Sequence, residues 1–196
     1  MDMVTAVILA AGMSKRMGKP KMMLPWGEIT VIEKVVQTLQ DAGMDSLLIV
    51  GGDNLDTLKE KLHQYRIRYL LNKDYAEGEM LSSVKVALRA LVRENTDAAL
   101  IVLGDQPQIE ADVVMTIIDT YKMSRNEIIV PSFRHHRGHP WLVGKTLWKE
   151  VLNLGPPDTL RDFLSNNQEL IFHVEVKTPS ILEDIDTPDD YARYHP

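Results

Sequence analysis

At 196 residues the chain has the length of one domain and enough of it to bury a core without covalent staples. Its 44% hydrophobic and 26% charged residues are a globular composition, and the lack of cysteine excludes disulfides, thiolate catalysis and zinc–sulfur sites. A net charge of −6 argues against extended nucleic-acid binding, which needs a basic face.

The first strand candidate, Val4–Ala10, starts almost at the N-terminus and leaves no room for a basic n-region and cleavage site. No apolar run anywhere approaches the roughly 20 residues of a membrane span. A reducing cytoplasm is therefore the expected location, with no membrane partner. After the strand comes Gly12-Met13-Ser14-Lys15-Arg16-Met17-Gly18-Lys19-Pro20-Lys21. Its basic residues form a concentrated positive patch on an acidic chain, which points to a local anion site. Glycines let backbone N–H groups approach phosphate oxygens, Arg16 can engage a phosphate in a bidentate way, and Lys21 supplies a mobile point charge. Two other phosphate loops are excluded. One residue too many separates Gly12 from Gly18 for a Walker A loop, Pro20 stands where it needs Ser or Thr, and G-x-G-x-x-G is absent.

Further along, Thr30 with Glu33 predicts a capping box ahead of a helix that Gly43 can end. Strand candidates then alternate with helical patterns. Ser46–Val50 precedes a helix over Asn54–Tyr65, Ile67–Leu71 one over Met80–Arg93, and Ala98–Leu103 one over Ala111–Tyr121. Glu127–Val130 and Glu169–Val176 complete the strands, and Thr187-Pro188 predicts the cap of a last helix. Arg134–Trp141 and the turn at Gly155-Pro156-Pro157 break the rhythm, so 134–157 is expected to be a lid or insertion. The fold class is a three-layer α/β/α domain with a mainly parallel sheet, spanning residues 1–196 as one unit. In such sheets ligands bind beyond the carboxyl ends of the strands. Gly12, Gly51-Gly52, Asn72 and Asp105 all fall there.

Asp105, closing an apolar strand, is a candidate magnesium ligand, since this hard cation takes one or two carboxylates plus phosphates and water. Asp186 is the candidate second carboxylate. Turn chemistry at Asp105 and helix capping beside Thr187 are the rival readings. Ser82 and Ser83 either offer hydroxyls and amides to a ligand or simply cap a helix. His135, His136 and His139 lack the partners that a zinc site needs.

Leu9-Ala10-Ala11-Gly12-x-Ser14-x-Arg16-Met17-Gly18-x-Pro20-Lys21, running on to Leu24-Pro25, resembles the signature of the MobA-like NTP transferases, nearest to the molybdenum cofactor cytidylyltransferases. The likeness continues in order through Asn72…Gly78…Ser82-Ser83, Gly104-Asp105-Gln106-Pro107, Arg137-Gly138-His139-Pro140 and Asp184-Ile185-Asp186-Thr187-Pro188. Glu79 departs from the family's usual Gly-Met-x-Ser-Ser spacing. The resemblance implies a Rossmann-like nucleotide-diphospho-sugar transferase (GT-A-like) fold and transfer of NMP from an NTP to the phosphate of a molybdopterin-type cofactor. It implies Mg2+ on Asp105 and Asp186, and catalytic roles for Arg16, Lys21 and Asp105. Leu9, Ala10, Ala11, Gly12, Arg16, Lys21, Asn72, Gly78 and Ser82 would bind the nucleotide. Arg137, Gly138 and His139 would bind the acceptor. Ala10-Ala11-Gly12 is closer to the cytidylyltransferase loops than to Ala-Gly-Gly, favouring CTP. A molybdoenzyme or its chaperone is the implied receiving partner. A transferase acting on a sugar or polyol phosphate, or a non-catalytic nucleotide-binding protein that handles the cofactor, remain the alternatives.

Overall fold

The computed structural model describes residues 3–12, 14, 16–77 and 79–196. Val4–Ala10 forms β1, and Pro25–Trp26 and Ile29–Thr30 form a small hairpin, β2 and β3. There follow α1 (Val31–Asp41), β4 (Leu47–Gly51), α2 (Leu55–Lys61), β5 (Arg68–Leu71), α3 (Glu79–Leu91), β6 (Ala98–Leu103) and α4 (Ala111–Ser124). The second half adds β7 (Ile128–Phe133), β8 (His136–Arg137), β9 (Trp141–Gly144), α5 (Trp148–Asn153), α6 (Leu160–Asn166), β10 (Ile171–Glu175) and α7 (Pro188–Tyr194). The capping box expected at Thr30 is present, with Glu33 Oε2 accepting from the Thr30 N–H at 2.9 Å. Gly43 follows the end of α1 at φ 76°, a left-handed turn that a Cβ would oppose.

The main sheet runs β10-β7-β9-β6-β1-β4-β5, with the short β8 pairing β7. β1 is parallel to both β4 and β6, so it is covered on two edges and two faces and reads as a continuous apolar run. Its side chains divide by alternation. Ala6, Ile8 and Ala10 meet α1, α2 and α4 on one side, while Val7 and Leu9 meet α3, α5 and α6 on the other. These are the three layers anticipated from the βαβ rhythm.

The segment 134–157 departs from expectation. Trp141–Gly144 lies between β6 and β7, antiparallel to both and fully buried, so this part is a strand of the sheet and not an excursion over it. Four apolar residues are too few to signal a strand, and an antiparallel insertion is outside the βαβ pattern. Its consequence is positional. Trp141 pairs with Ile101 near the carboxyl end of β6, so the residues just before β9 arrive at the edge where the parallel strands end.

Trp148 closes the core on the side of α3. It is fully buried, and its indole N–H donates to the Val143 carbonyl at 3.1 Å. Trp148→Ala should lower the unfolding free energy by about 3–5 kcal/mol through the cavity it leaves. Urea denaturation followed by circular dichroism would measure this.

Candidate functional site

The carboxyl ends of β1, β4, β5 and β6 lie side by side, with Ala10 opposite Gly51, Gly51 opposite Leu71, and Leu9 opposite Leu103. Their loops therefore converge. Lys21 stands at the centre. Its Nζ lies 2.7 Å from Asp105 Oδ2 and 2.7 Å from Asp186 Oδ1, joining three distant segments through one ammonium. Arg16 adds a second cation, its Nη2 2.7 Å from Asp186 Oδ2 on a largely exposed side chain. Burial pulls the Lys21 pKa down, but the charge of Asp105 and hydrogen bonds to Asp105 and Asp186 outweigh it, holding the ammonium above its ordinary value of 10.5. Burial, then the charges of Asp186 and Asp105, push the neighbouring Asp184 carboxyl up.

Local structure explains how these groups meet. Ser14 sits at φ 50°, and its carbonyl accepts from the Met17 and Gly18 N–H groups while its hydroxyl accepts from the Lys21 N–H at 3.0 Å. The loop thus folds on itself and delivers Lys21 inward. Asp105 follows β6 after Gly104. Asp186 is held by a small cluster in which Ile185 packs with Met17, Trp26 and Val31, and the Ile185 N–H donates to the Asp105 carbonyl at 3.2 Å. Tyr191 on α7 donates its hydroxyl to the Pro25 carbonyl at 2.6 Å, fastening the C-terminal segment to the hairpin. The capping rival for Asp186 is excluded, since the α7 cap is a Thr187–Asp190 box.

The remaining sequence candidates fall around this centre. Ala11 and Gly12 line a cleft of about 340 Å³ with Ser14, Lys21, Asn54 and Tyr75. The Leu9 carbonyl is taken by the Gly104 N–H at 3.0 Å and the Ala10 carbonyl by Asn54 Nδ2 at 2.9 Å, so these two residues shape the cleft from behind. Asn72 is buried, and its Nδ2 donates to Ser82 Oγ at 2.7 Å and Ser83 Oγ at 3.0 Å, tying β5 to the start of α3. The two serines therefore have a shared partner rather than a capping role. Gly78 lies outside the described residues.

Arg137 and His139 line a second cavity, of about 820 Å³, with Ser82 at one end. Burial pushes the His139 imidazole down to about 4, against the opposing pull of the Ile101 backbone and the charge of Asp105. It is neutral at physiological pH and offers hydrogen bonding rather than positive charge, and its Nδ1 is buried without a partner. Gly138 has a structural reason of its own. A Cβ there would fall 2.1 Å from the Ile181 carbonyl oxygen, and the adjacent His139 N–H donates to that same oxygen at 3.0 Å. This close approach fixes the chain that leads to Asp184 and Asp186.

Sequence reasoning missed Asn54, which braces the β1 end, and Tyr75, whose hydroxyl donates to Asp53 across the first cleft. Asn54, two residues after Gly51-Gly52, was a polar residue close to a strand end, a signal that was available. The Tyr75–Asp53 contact carried none, because it joins two loops with no pattern in common.

Two hard carboxylates already share one cation, and that donor set suits a divalent ion. No group of three or more His, Asp or Glu side chains among the described residues is arranged to hold a metal. A magnesium-type ion held here would complete its shell with water and substrate phosphate. No helix among the described residues is long and apolar enough to cross a membrane.

Comparison with known proteins places the chain among nucleotidyltransferase relatives. A family model for the MobA-like NTP transferase domain matches residues 6–170. The molybdenum cofactor cytidylyltransferase of Escherichia coli (strain K12) is 30% identical over 191 residues, covering 97% of this chain and 95% of that protein. The nicotine blue oxidoreductase of Paenarthrobacter nicotinovorans is 28% identical with the same coverages. Among solved structures, a nucleotidyl transferase from Methanothermobacter thermautotroptrophicus superposes with a TM-score of 0.83 at 25% identity, covering 100% of this chain and 97% of that one. A Mycobacterium tuberculosis protein in complex with manganese gives 0.77 at 26% identity, covering 99% and 98%.

Removing the Lys21 charge leaves Asp105 and Asp186 facing each other, and Lys21→Met should cost about 1–3 kcal/mol at pH 7. Because the folded-state pKa of Lys21 is raised, its stabilisation is complete below the ordinary value of 10.5 and is lost as pH rises through the higher folded value. The stability gap between wild type and Lys21→Met should thus stay level up to about pH 10.5 and close above it, as read by urea denaturation across pH. Gly138→Ala should destabilise by about 1–3 kcal/mol through the clash with Ile181, visible as a lowered melting temperature.

Proposed function

This chain belongs to the MobA-like NTP transferase family, a family of nucleotidyltransferases, and we propose that it transfers CMP from CTP to the terminal phosphate of a molybdopterin-type molybdenum cofactor, releasing pyrophosphate. The observation that carries the reading is the Lys21 ammonium shared by Asp105 and Asp186 beside the Ala11-Gly12 cleft. The Ala10-Ala11-Gly12 triplet and the full-length likeness to the Escherichia coli cytidylyltransferase support CTP and the molybdenum cofactor as the substrate pair.

An oxygen of the acceptor phosphate attacks the α-phosphorus of CTP, the bond from that phosphorus to the bridging oxygen of the β-phosphate breaks, and pyrophosphate departs with its electron pair. No protein nucleophile is required, because positioning and electrostatics carry phosphoryl transfers of this kind. Asp105 and Asp186 would hold Mg2+, in keeping with the manganese complex of the Mycobacterium tuberculosis relative. Bound there, the ion supplies charge to the phosphates and orients them. Arg16, largely exposed, reaches the triphosphate from the open side. Lys21 stabilises negative charge on the departing pyrophosphate, and Ala11 and Gly12 bring backbone amides close to the nucleotide. Neutral His139 presents an imidazole to the acceptor side.

Pyrophosphate release measured over the four NTPs with molybdenum cofactor should show turnover with CTP and a clear preference for it. Equal rates with all four, or none with any, would overturn the assignment. Asp105→Asn should reduce kcat by about 10²–10³-fold while the protein stays folded, since Asp186 still partners Lys21. Retention of most of the wild-type rate would remove Asp105 from the metal site.

A further inference from the structure

The second cavity extends well beyond the residues that the family motif supplies. From Ser82 and His139 it runs to a far wall made by residues 155–165, the turn and first part of α6. That wall is firmly held. Lys85, on the same helix as Ser82, donates its ammonium to the Leu154 carbonyl where the wall begins. Phe163 is fully buried with its ring 6.4 Å from that of Trp141, so α6 is pinned to β9. Thr159 and Asp162 close a capping box, with Asp162 Oδ2 accepting from the Thr159 N–H at 2.8 Å and its hydroxyl at 2.7 Å.

Helical geometry then decides what faces the cavity. Residues two apart on a helix point to nearly opposite sides, so anchoring Phe163 in the core turns Arg161 outward onto the cavity, beside Leu164. Arg161 has no ion-pair partner among the described residues, and Asp162 next to it is engaged by Thr159. It is also a cation in the first turn of a helix, where the peptide dipole disfavours one. Behind the Thr159 hydrogen bonds, its charge helps lower the adjacent Asp162 carboxyl, but no hydrogen bond or ion pair among the described residues engages the guanidinium. Arg137 lines the same space, likewise without an ion pair among the described residues. Glu77 and Asp158 line it too, so the cavity is not a general anion trap. Its occupant must bring oxygen-rich or anionic groups to the arginines and hydrogen-bond donors to the carboxylates.

Resting on the transferase reading above, we propose that Arg161 is a specificity-determining residue that reads the end of the acceptor remote from its reacting phosphate, by donating to an anionic or oxygen-rich group carried on a polar heterocycle. Arg161 is not among the residues that line the first cleft, where Ala11, Gly12 and Lys21 lie. A guanidinium rather than a point charge suits such a group, because its planar fork donates two parallel hydrogen bonds.

The test is steady-state kinetics of Arg161→Ala and Arg161→Lys with CTP and molybdenum cofactor. Arg161→Ala should raise the acceptor KM by about 10–100-fold while kcat and the CTP KM stay within about twofold, and Arg161→Lys should recover part of the loss. An unchanged acceptor KM would overturn the proposal, and so would an equal rise in the CTP KM. Quenching of intrinsic tryptophan fluorescence by molybdenum cofactor alone, with Trp141 in the cavity wall, separates this proposal from the transferase reading. If wild type binds the cofactor without turning it over, the transferase reading fails; binding weakened about tenfold in Arg161→Ala still upholds the role of Arg161. No binding to wild type, or equal binding to both proteins, overturns it.

Discussion

A single ammonium group organises this molecule. Lys21 is only 8% exposed and sits between two carboxylates, one from the middle of the chain and one from near its C-terminus. Desolvating one cation and two anions is costly, and only close contact on both sides offsets it. The requirement reaches outward through the structure. The Ser14 turn must deliver Lys21 inward, β6 must end at Asp105, and the Ile185 cluster must bring the C-terminal segment back across the hairpin.

The arrangement also suits a centre that must accept more charge. Lys21 and Arg16 balance Asp105 and Asp186, while burial, ahead of the charges of Asp186 and Asp105, raises the Asp184 carboxyl nearby. Two open clefts lie near the buried centre. The phosphate loop and the β4–β5 loops border one, and β8, β9 and α6 border the other.

The antiparallel β9 is what gives the second cavity its place. A parallel strand at that position would send its preceding residues to the opposite edge of the sheet. Reversing the direction puts Arg137, Gly138 and His139 beside the carboxyl end of β6, and the tight approach of Gly138 to Ile181 locks that turn to the segment carrying Asp186. The turn at Arg137–His139 and the segment carrying Asp186 are thereby coupled through backbone rather than through side chains.

The sequence by itself determined the centre of the parallel half of the sheet, because strands covered on both faces must be continuous apolar runs, and β1, β4 and β6 fall where those runs are. It also determined the loop, since glycines, bases and Pro20 in that order exclude other phosphate-binding motifs, and the caps at Thr30 and Thr187, which are local chemistry. Only the tertiary structure decided that Lys21 rather than Arg16 is the buried hub and that Asp186 faces Asp105 instead of capping α7. It alone set β9 into the sheet, made His139 a neutral imidazole, and turned Arg161 toward the second cavity. Each of these depends on contacts between residues far apart in the chain, where burial and charge fix the outcome and no periodicity records it.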